Sequence, residues 1–153
     1  MALEIQSGKS LSLPRSSTPL SNSFTISFWL KTTIASFTAI EKQGSYALRF
    51  VSTQDFELDL YYSSAGLRTY SFTDFPILTL GDWGFFMISA DEFGDTIFFT
   101  YQSTYQSVLY GVSGDQLVNN NNPVLLHGAP SSYREFIVHN GVIADENMYT
   151  TYR

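Results

Sequence analysis

The eight residues Phe24–Lys31, FTISFWLK, decide the fold class. Their side chains alternate strictly between an apolar set, Phe24, Ile26, Phe28 and Leu30, and a second set, Thr25, Ser27, Trp29 and Lys31. A period of two places the two sets on opposite faces of an extended strand, and one of these faces is wholly apolar. The stretch therefore predicts a central strand of a two-sheet sandwich, with Trp29 on the otherwise polar face.

The composition favours the same fold class. Of the 153 residues, 16% are aromatic and only 14% are charged, whereas an average soluble domain has about 25% charged residues. Aromatic, Ser and Thr side chains suit the half-buried faces of strands. The chain is long enough to bury a core of its own and shows no linker or internal repeat, so we predict a single domain over residues 1–153.

Several classes of function are disfavoured by the residues present. The absence of cysteine excludes disulfides and thiolate chemistry. Eight scattered Lys and Arg residues and a net charge of −6 argue against nucleic-acid binding, which depends on clustered cations. No apolar run approaches the roughly 18 residues that membrane insertion requires, and the first ten residues show no signal peptide.

Turn signals recur about every ten residues along the chain, as in all-β sandwiches. We predict strands over the following ranges in addition to the central one: Leu3–Ile5, Ser10–Leu13, Tyr46–Ser52, Phe56–Tyr62, Leu67–Phe72, Phe85–Ala90, Thr96–Tyr101, Tyr105–Tyr110, Val124–His127 and Glu135–Asn140. Only Ala144–Tyr152 favours one or two helical turns, because Asp145 and Glu146 complement the dipole at the N-terminal end.

The order of these motifs resembles the laminin-G-like, concanavalin A-like lectin and glucanase domains. Five stretches carry the resemblance: FTISFWLK from residue 24, IEKQGSYALRF from 40, LTLGDWGFFMISAD from 78, VLLHG from 124, and REFIVHNGVIADENMYTTY from 134. One departure is the hairpin at Tyr101–Gln106, which lacks the glycine that the family places there. Its turn must be of another type, with two tyrosines near the tip.

The resemblance implies a two-sheet antiparallel jelly roll that binds carbohydrate or protein. It also implies an extracellular, virion or cell-surface location. Members of the family are sometimes calcium-dependent and less often catalytic, which makes calcium a candidate cofactor. The candidate oxygen ligands are the loop residues Asp82, Asp91, Asp95, Asp115 and Asn119–Asn122, although their spacing matches no EF-hand. Solvated turns are the alternative interpretation.

Aromatic side chains next to amides give the best indication of a binding surface. Tyrosine rings stack on the apolar faces of sugars, and tyrosine is also favoured in protein interfaces. The predicted ligand-binding residues are Tyr101, Tyr105, Tyr110, Asp115, Asn120 and Asn121. A second group, Tyr61, Tyr62 and Tyr70, lies on the predicted meander. The alternative is that most of these rings cover the outer faces of the sheets.

An enzymatic interpretation depends on Glu57 and Asp59, which share one face of a predicted strand. Glucanases of the family carry a third carboxylate on this strand, but Tyr61 and Tyr62 occupy the positions where it would fall. A retaining mechanism needs two carboxyl groups in distinct roles. His127 and His139 have no histidine partner at metal-ligand spacing. We therefore predict that the protein is not an enzyme.

The preferred hypothesis is a non-catalytic recognition module that binds a glycan or a partner protein through loops at one edge of the sandwich. A structural or assembly subunit of a virion, fibre or surface layer is the alternative, and such a subunit would form an oligomer. A glycoside hydrolase using Glu57 and Asp59 is the second alternative.

Overall fold

The structure is a computed structural model that describes residues 3–13, 21–112, 114–128 and 131–140. These residues form twelve strands: β1 (Leu3–Ile5), β2 (Ser10–Leu13), β3 (Phe24–Thr32), β4 (Phe37–Lys42), β5 (Tyr46–Phe50), β6 (Phe56–Tyr62), β7 (Gly66–Phe72), β8 (Gly84–Asp91), β9 (Thr96–Tyr101), β10 (Thr104–Leu109), β11 (Val124–His127) and β12 (Ser131–Asn140). The predicted all-β class is confirmed. The helical turns predicted for 144–152 lie outside the described residues.

The strands form two six-stranded antiparallel sheets that pack face to face as a sandwich. Sheet A has the order β1-β12-β3-β8-β9-β10, and sheet B has the order β2-β11-β4-β5-β6-β7. Strand β3 lies between β12 and β8, so its predicted central position is confirmed. The part of the chain that the structure describes contains no helix long and apolar enough to cross a membrane.

The two faces of β3 have the environments that its alternation predicts. Phe24, Ile26, Phe28 and Leu30 belong to the core between the sheets. Trp29 points to the other side of sheet A, where its ring centroid lies 5.5 Å from that of Phe85. A small apolar cluster on this outer face combines Trp29 with Phe85, Met87 and Trp83.

Aromatic rings from both sheets hold the sandwich together. Phe56 on β6 stacks on Phe99 on β9, with ring centroids 4.8 Å apart. Phe50 on β5 approaches Phe86 on β8, with a centroid distance of 5.0 Å. Burial of each such ring contributes about 1.5–3 kcal/mol to folding relative to an exposed ring. The interior is therefore a ring-rich layer that leaves the outer faces available for other chemistry.

Candidate functional site

The outer face of sheet B presents a row of aligned side chains on four neighbouring strands. Glu41 on β4 lies opposite Ala47 on β5, which lies opposite Asp59 on β6, which in turn lies opposite Thr69 on β7. Directly opposite residues in antiparallel strands point to the same face. The methyl group of Ala47 is the smallest side chain in the row, so the surface is lower at this point.

A depression of about 300 Å³ lies over Ala47. Its lining residues are Thr38, Glu41, Lys42, Gln43, Gly44, Tyr46, Ala47, Arg49, Asp59 and Tyr61. Volumes of this size are at the lower end of the range seen for ligand sites, about 300–1,000 Å³. We call this feature the Ala47 depression.

An ion-pair network holds the polar wall of the Ala47 depression in place. The Arg49 guanidinium donates to the carboxylates of both Glu57 and Asp59. The second oxygen of Asp59 accepts a hydrogen bond from Thr69 Oγ1 at 2.7 Å. Asp59 is only 5% exposed, so its charge depends on these partners. The network fixes the side chains before any ligand arrives.

Tyr61 forms an aromatic wall of the Ala47 depression. Strand alternation places its half-buried ring on the outer face, whereas its neighbour Tyr62 is buried on the inner face. Its backbone is held on both sides, because its N–H donates to Ser45 O and its carbonyl accepts from Val118 N, each at 2.9 Å. Its backbone is therefore fixed, and its half-buried ring borders the depression.

The predicted asparagine run lies at the rim of the same depression. The side-chain amides of Asn120 and Asn122 both donate to the carbonyl of Gln43 in the β4–β5 turn, at 2.8 and 2.9 Å. The Lys42 amine donates to Asn122 O at 2.8 Å, and burial lowers the pKa of this lysine. Asn121 stays exposed. Asn120 therefore positions the rim, and Asn121 is available to a ligand.

Tyr101 is not on a surface, and this corrects the sequence-based placement. Its ring stacks on Phe86 at 4.8 Å in the core and is 6% exposed. Gly84 leaves the room for this packing, because a Cβ at that position would lie 2.8 Å from Cε2 of Tyr101. Burial raises the pKa of Tyr101. The period-two pattern of β9 places it inward together with Ile97 and Phe99.

Tyr110 is also buried, which corrects a second predicted site residue. It is 1% exposed and packs against Tyr62 and Tyr70, with centroids 6.3 and 6.0 Å away. Its hydroxyl donates to Asn22 O at 2.9 Å, and its carbonyl accepts from the Tyr70 hydroxyl at 2.7 Å. Burial raises the pKa of Tyr110. These three tyrosines form an internal polar cluster and cannot offer a ring face to a ligand in this arrangement.

Asp115 braces the β6–β7 turn. Its carboxylate accepts hydrogen bonds from the amides of Ser64, Ala65 and Gln116 and from the Ser63 hydroxyl, over 2.9–3.1 Å. Burial by itself raises the pKa of Asp115, but the amide donors and the hydroxyl outweigh it and lower this pKa to about 2. With its oxygens engaged in this way, the observed role of Asp115 is to hold two loops together.

Tyr105 lies on a different surface from the asparagines. It is 48% exposed on the outer face of β10 in sheet A, with Phe98 beside it at 6.3 Å. Asn120 and Asn121 lie at the β4–β5 turn of sheet B. The structure therefore does not bring Tyr105 and the asparagines together, and a role of Tyr105 in binding stays a prediction.

The loop carboxylates considered for calcium do not converge. Within the described ranges, no three Asp, Glu or His side chains are placed to hold a metal ion. Asp95 accepts from the Gly111 amide at 2.6 Å, and Asp91 accepts from the Phe93 amide at 3.1 Å. His127 lies between Ser10 Oγ at 2.7 Å and Glu41 Oε1 at 3.3 Å.

Two residues that matter for this region carry no sequence signal. Ala47 reads as an ordinary strand residue until its neighbours across β4 and β6 are known. Asn22 is 6% exposed. Its Nδ2 donates to Asp115 O at 2.7 Å, and its Oδ1 accepts from Leu117 N at 2.9 Å. A lone polar residue before β3 does not reveal such long-range contacts, whereas Tyr61 is visible in the sequence as one of the meander tyrosines.

Fold and site together define the chain as a two-sheet antiparallel β-sandwich with a polar, ring-walled depression on one outer face. No protein-family profile matches the sequence, and no curated protein matches it significantly. Solved structures with a similar fold include the botulinum neurotoxin serotype D binding domain, with a TM-score of 0.71, 15% identity, and coverage of 99% of this chain and 41% of that one. The botulinum neurotoxin serotype G binding domain also has a TM-score of 0.71, at 11% identity, over 98% of this chain and 41% of that one.

The receptor-binding domain of the botulinum neurotoxin C/D mosaic serotype is similar as well, with a TM-score of 0.67 and 12% identity over 99% of this chain and 42% of that one. At these identities the similarity shows the fold alone. The chain spans about two fifths of the length of each of these domains.

Proposed function

We propose that the protein is a non-catalytic recognition module that binds a glycan in the Ala47 depression. The observation that carries this proposal is the position of Tyr61 beside a polar pocket whose side chains are already fixed. A sugar stacks its apolar face on such a ring, and its hydroxyls bond the carboxylate and amide oxygens around it. Glu41 and Gln43 line the depression and can supply such groups, and Asn121 is exposed in the neighbouring loop.

The charges around the depression favour a neutral glycan. Two cations line the depression: Lys42 is buried and donates to Asn122 O, and Arg49 is already bound to Glu57 and Asp59. An anionic sugar would have to break this network and would face both carboxylates. A neutral sugar can bond to the outer edges of the same groups without displacing them.

The same contacts support a role without catalysis. Glycoside hydrolysis uses two carboxyl groups that play different roles on either side of the bond to be cleaved. Here Glu57 and Asp59 share one guanidinium, and Asp59 also bonds Thr69, so both act as acceptors within one network. The hydrolase alternative would need this network to open.

The structural neighbours support recognition as the class of function, because they are binding or receptor-binding domains. The laminin-G-like or concanavalin A-like assignment belongs to the same proposal. So does an extracellular, virion or cell-surface location, where glycans are accessible. A partner protein on the same face is the alternative, and in that case no glycan would bind.

A glycan array probed with the wild-type protein and with Tyr61→Ala tests the proposal. We expect binding to neutral glycans that weakens at least about tenfold in Tyr61→Ala, because the stacking surface is lost. Tyr105→Ala is the control, since it removes an exposed tyrosine from the outer face of the opposite sheet.

Three results would count against the proposal. These are binding to no glycan, unchanged binding in Tyr61→Ala, and loss of binding in Tyr105→Ala alone. Release of reducing ends from β-glucans that disappears in Glu57→Gln would favour the hydrolase instead. Asn121→Ala refines a positive result, because a weaker effect than that of Tyr61→Ala places the asparagine at the rim.

A further inference from the structure

Among the residues that the structure describes, strand β10 is an open edge with none of the devices that protect the other edges. It is the last strand of sheet A, and its six residues TYQSVL contain no charge and no proline. Its register with β9 runs without a bulge. By contrast, β1 has three residues with a glutamate, β2 has four residues, and β7 carries Arg68, which bonds Gly111 O. Natural proteins blunt long neutral edges because such edges pair with other strands.

The free backbone groups of β10 can be assigned from its pairing. The Tyr110 amide, just after the strand, donates to Asp95 O on the side of β9 at 3.0 Å. Because bonding alternates along antiparallel strands, the even-numbered residues bond β9. The amides and carbonyls of Tyr105, Ser107 and Leu109 therefore point to the open edge. No described residue from another part of the chain bonds them.

The exposed side chains of β10 are symmetric about Ser107. Tyr105 is 48% exposed and Leu109 is 74% exposed, and both lie on the outer face with Ser107 between them. A second β10 strand running antiparallel, with its twofold axis at Ser107, would place Tyr105 opposite Leu109 of the other copy. Each copy would then cover the exposed apolar side chain of the other, which favours pairing.

We propose that β10 pairs with β10 of a second copy of this chain, so that sheet A continues across a twofold axis at Ser107. The outward amides and carbonyls of Tyr105, Ser107 and Leu109 then bond those of the second copy, all in phase. On the inner face, Val108 lies opposite Gln106 of the second copy, so no charge is buried. An acidic chain of net charge −6 repels its own copies, and a neutral strand is where they can meet.

Cysteine cross-linking tests this register directly, because the wild-type chain contains no cysteine. At a twofold axis between bonded residues, the two Ser107 Cα atoms lie about 5.5 Å apart, which suits a disulfide. We expect Ser107→Cys to form a disulfide-linked dimer at least about tenfold faster than Ser71→Cys. Ser71 is the matched control, since it is also exposed on the outer face of an edge strand, β7.

Sedimentation provides the test without a covalent link. We expect a concentration-dependent dimer for the wild type and for Ser71→Lys, and a monomer for Ser107→Lys, in which like charges would lie directly opposite. Ser107→Pro should also be monomeric, because it removes the N–H that would bond the second copy. The pairing of β10 with β9 should persist, since this N–H does not bond β9. A monomeric wild type, a dimer that survives both Ser107 variants, or equal cross-linking of Ser107→Cys and Ser71→Cys would overturn the proposal.

Discussion

The outer face of sheet B and the outer face of β9 and β10 are both open to solvent, but their chemistry is opposite. Around Ala47, charged side chains are paired with each other, as Arg49 is with Glu57 and Asp59. On β10, Tyr105 and Leu109 are exposed, and no described residue from another part of the chain bonds the outward backbone groups of the strand. Phe93, at the tip of the β8–β9 hairpin, is 94% exposed near the same end of the sheet as Leu109.

This difference distinguishes two ways in which a surface can be prepared for binding. A polar surface whose groups are mutually satisfied is stable alone and needs little reordering when a ligand arrives. A surface with unpaired strand groups gains stability only when another strand covers it. The first suits a reversible small ligand, whereas the second suits a copy of the chain.

The largest expected effect separates the inner and outer faces of β9. Phe99→Ala should destabilise the fold by about 3–5 kcal/mol, because its ring fills the core against Phe56. Phe98→Ala, one residue away on the outer face, should cost about 1 kcal/mol. Urea unfolding of dilute protein measures both. Equal losses would show that the outer face also carries core packing.

An intermediate effect tests the paired charges of sheet B. Arg49→Met should destabilise the fold by about 2–3 kcal/mol, because it leaves a nearly buried carboxylate, the 7%-exposed side chain of Asp59, without its cation. Glu57→Gln is the control and should cost less than about 1 kcal/mol, since the Glu57 side chain is 31% exposed. Thermal unfolding at neutral pH compares them, and similar losses would mean that Asp59 does not depend on Arg49.

The smallest effect is local and depends on pH. The pKa of Asp115 is about 2 in the folded state, below the roughly 3.9 of an unfolded aspartate. Its stabilising contribution is therefore present above about pH 4 and is lost as the pH falls towards 2. Hydrogen exchange, corrected for intrinsic rates, should show protection of the Ser64 and Ala65 amides falling in this range, while protection in β9 persists.

Asp115→Asn is the control for that experiment. It should lower the protection of the β6–β7 turn already at pH 7 and abolish the pH dependence there. A turn whose exchange is unchanged in the variant, or whose protection is lost only together with that of β9, would contradict the bracing role of Asp115.

The strands could be predicted from the sequence because alternation is a local property. The ranges of β6, β9 and β11 match their predicted bounds, and β3 extends one residue beyond its prediction. The predicted start of β12 at Glu135 was four residues late. The strand pairs with β3 from Ser131 to Arg134, and its register then shifts before Ile137. Glu135 lies in this irregular segment and has a φ of +52°. A bulge of this kind interrupts the period on which the prediction depends.

The binding site was harder to predict because it depends on neighbours across strands. The alternation of β9 places Tyr101 on the inner face with Ile97 and Phe99, so the prediction of Tyr101 as a surface ring was wrong. Tyr110 lies five residues after Tyr105, so the alternation of β10 places the two rings on opposite faces, and Tyr110 packs inside against Tyr62 and Tyr70. The Ala47 depression is formed by residues of three neighbouring strands, β4, β5 and β6, and the sequence does not show which strands are adjacent.

The position of β12 in sheet A has a consequence for how the chain is made. This strand lies between β1 and β3, yet it begins at Ser131, about 100 residues after β3 ends at Thr32. During synthesis, β3 leaves the ribosome long before the strand that covers one of its edges. Until then, the edge of β3 that β12 covers has no strand beside it, and an unpaired strand edge can pair with other chains.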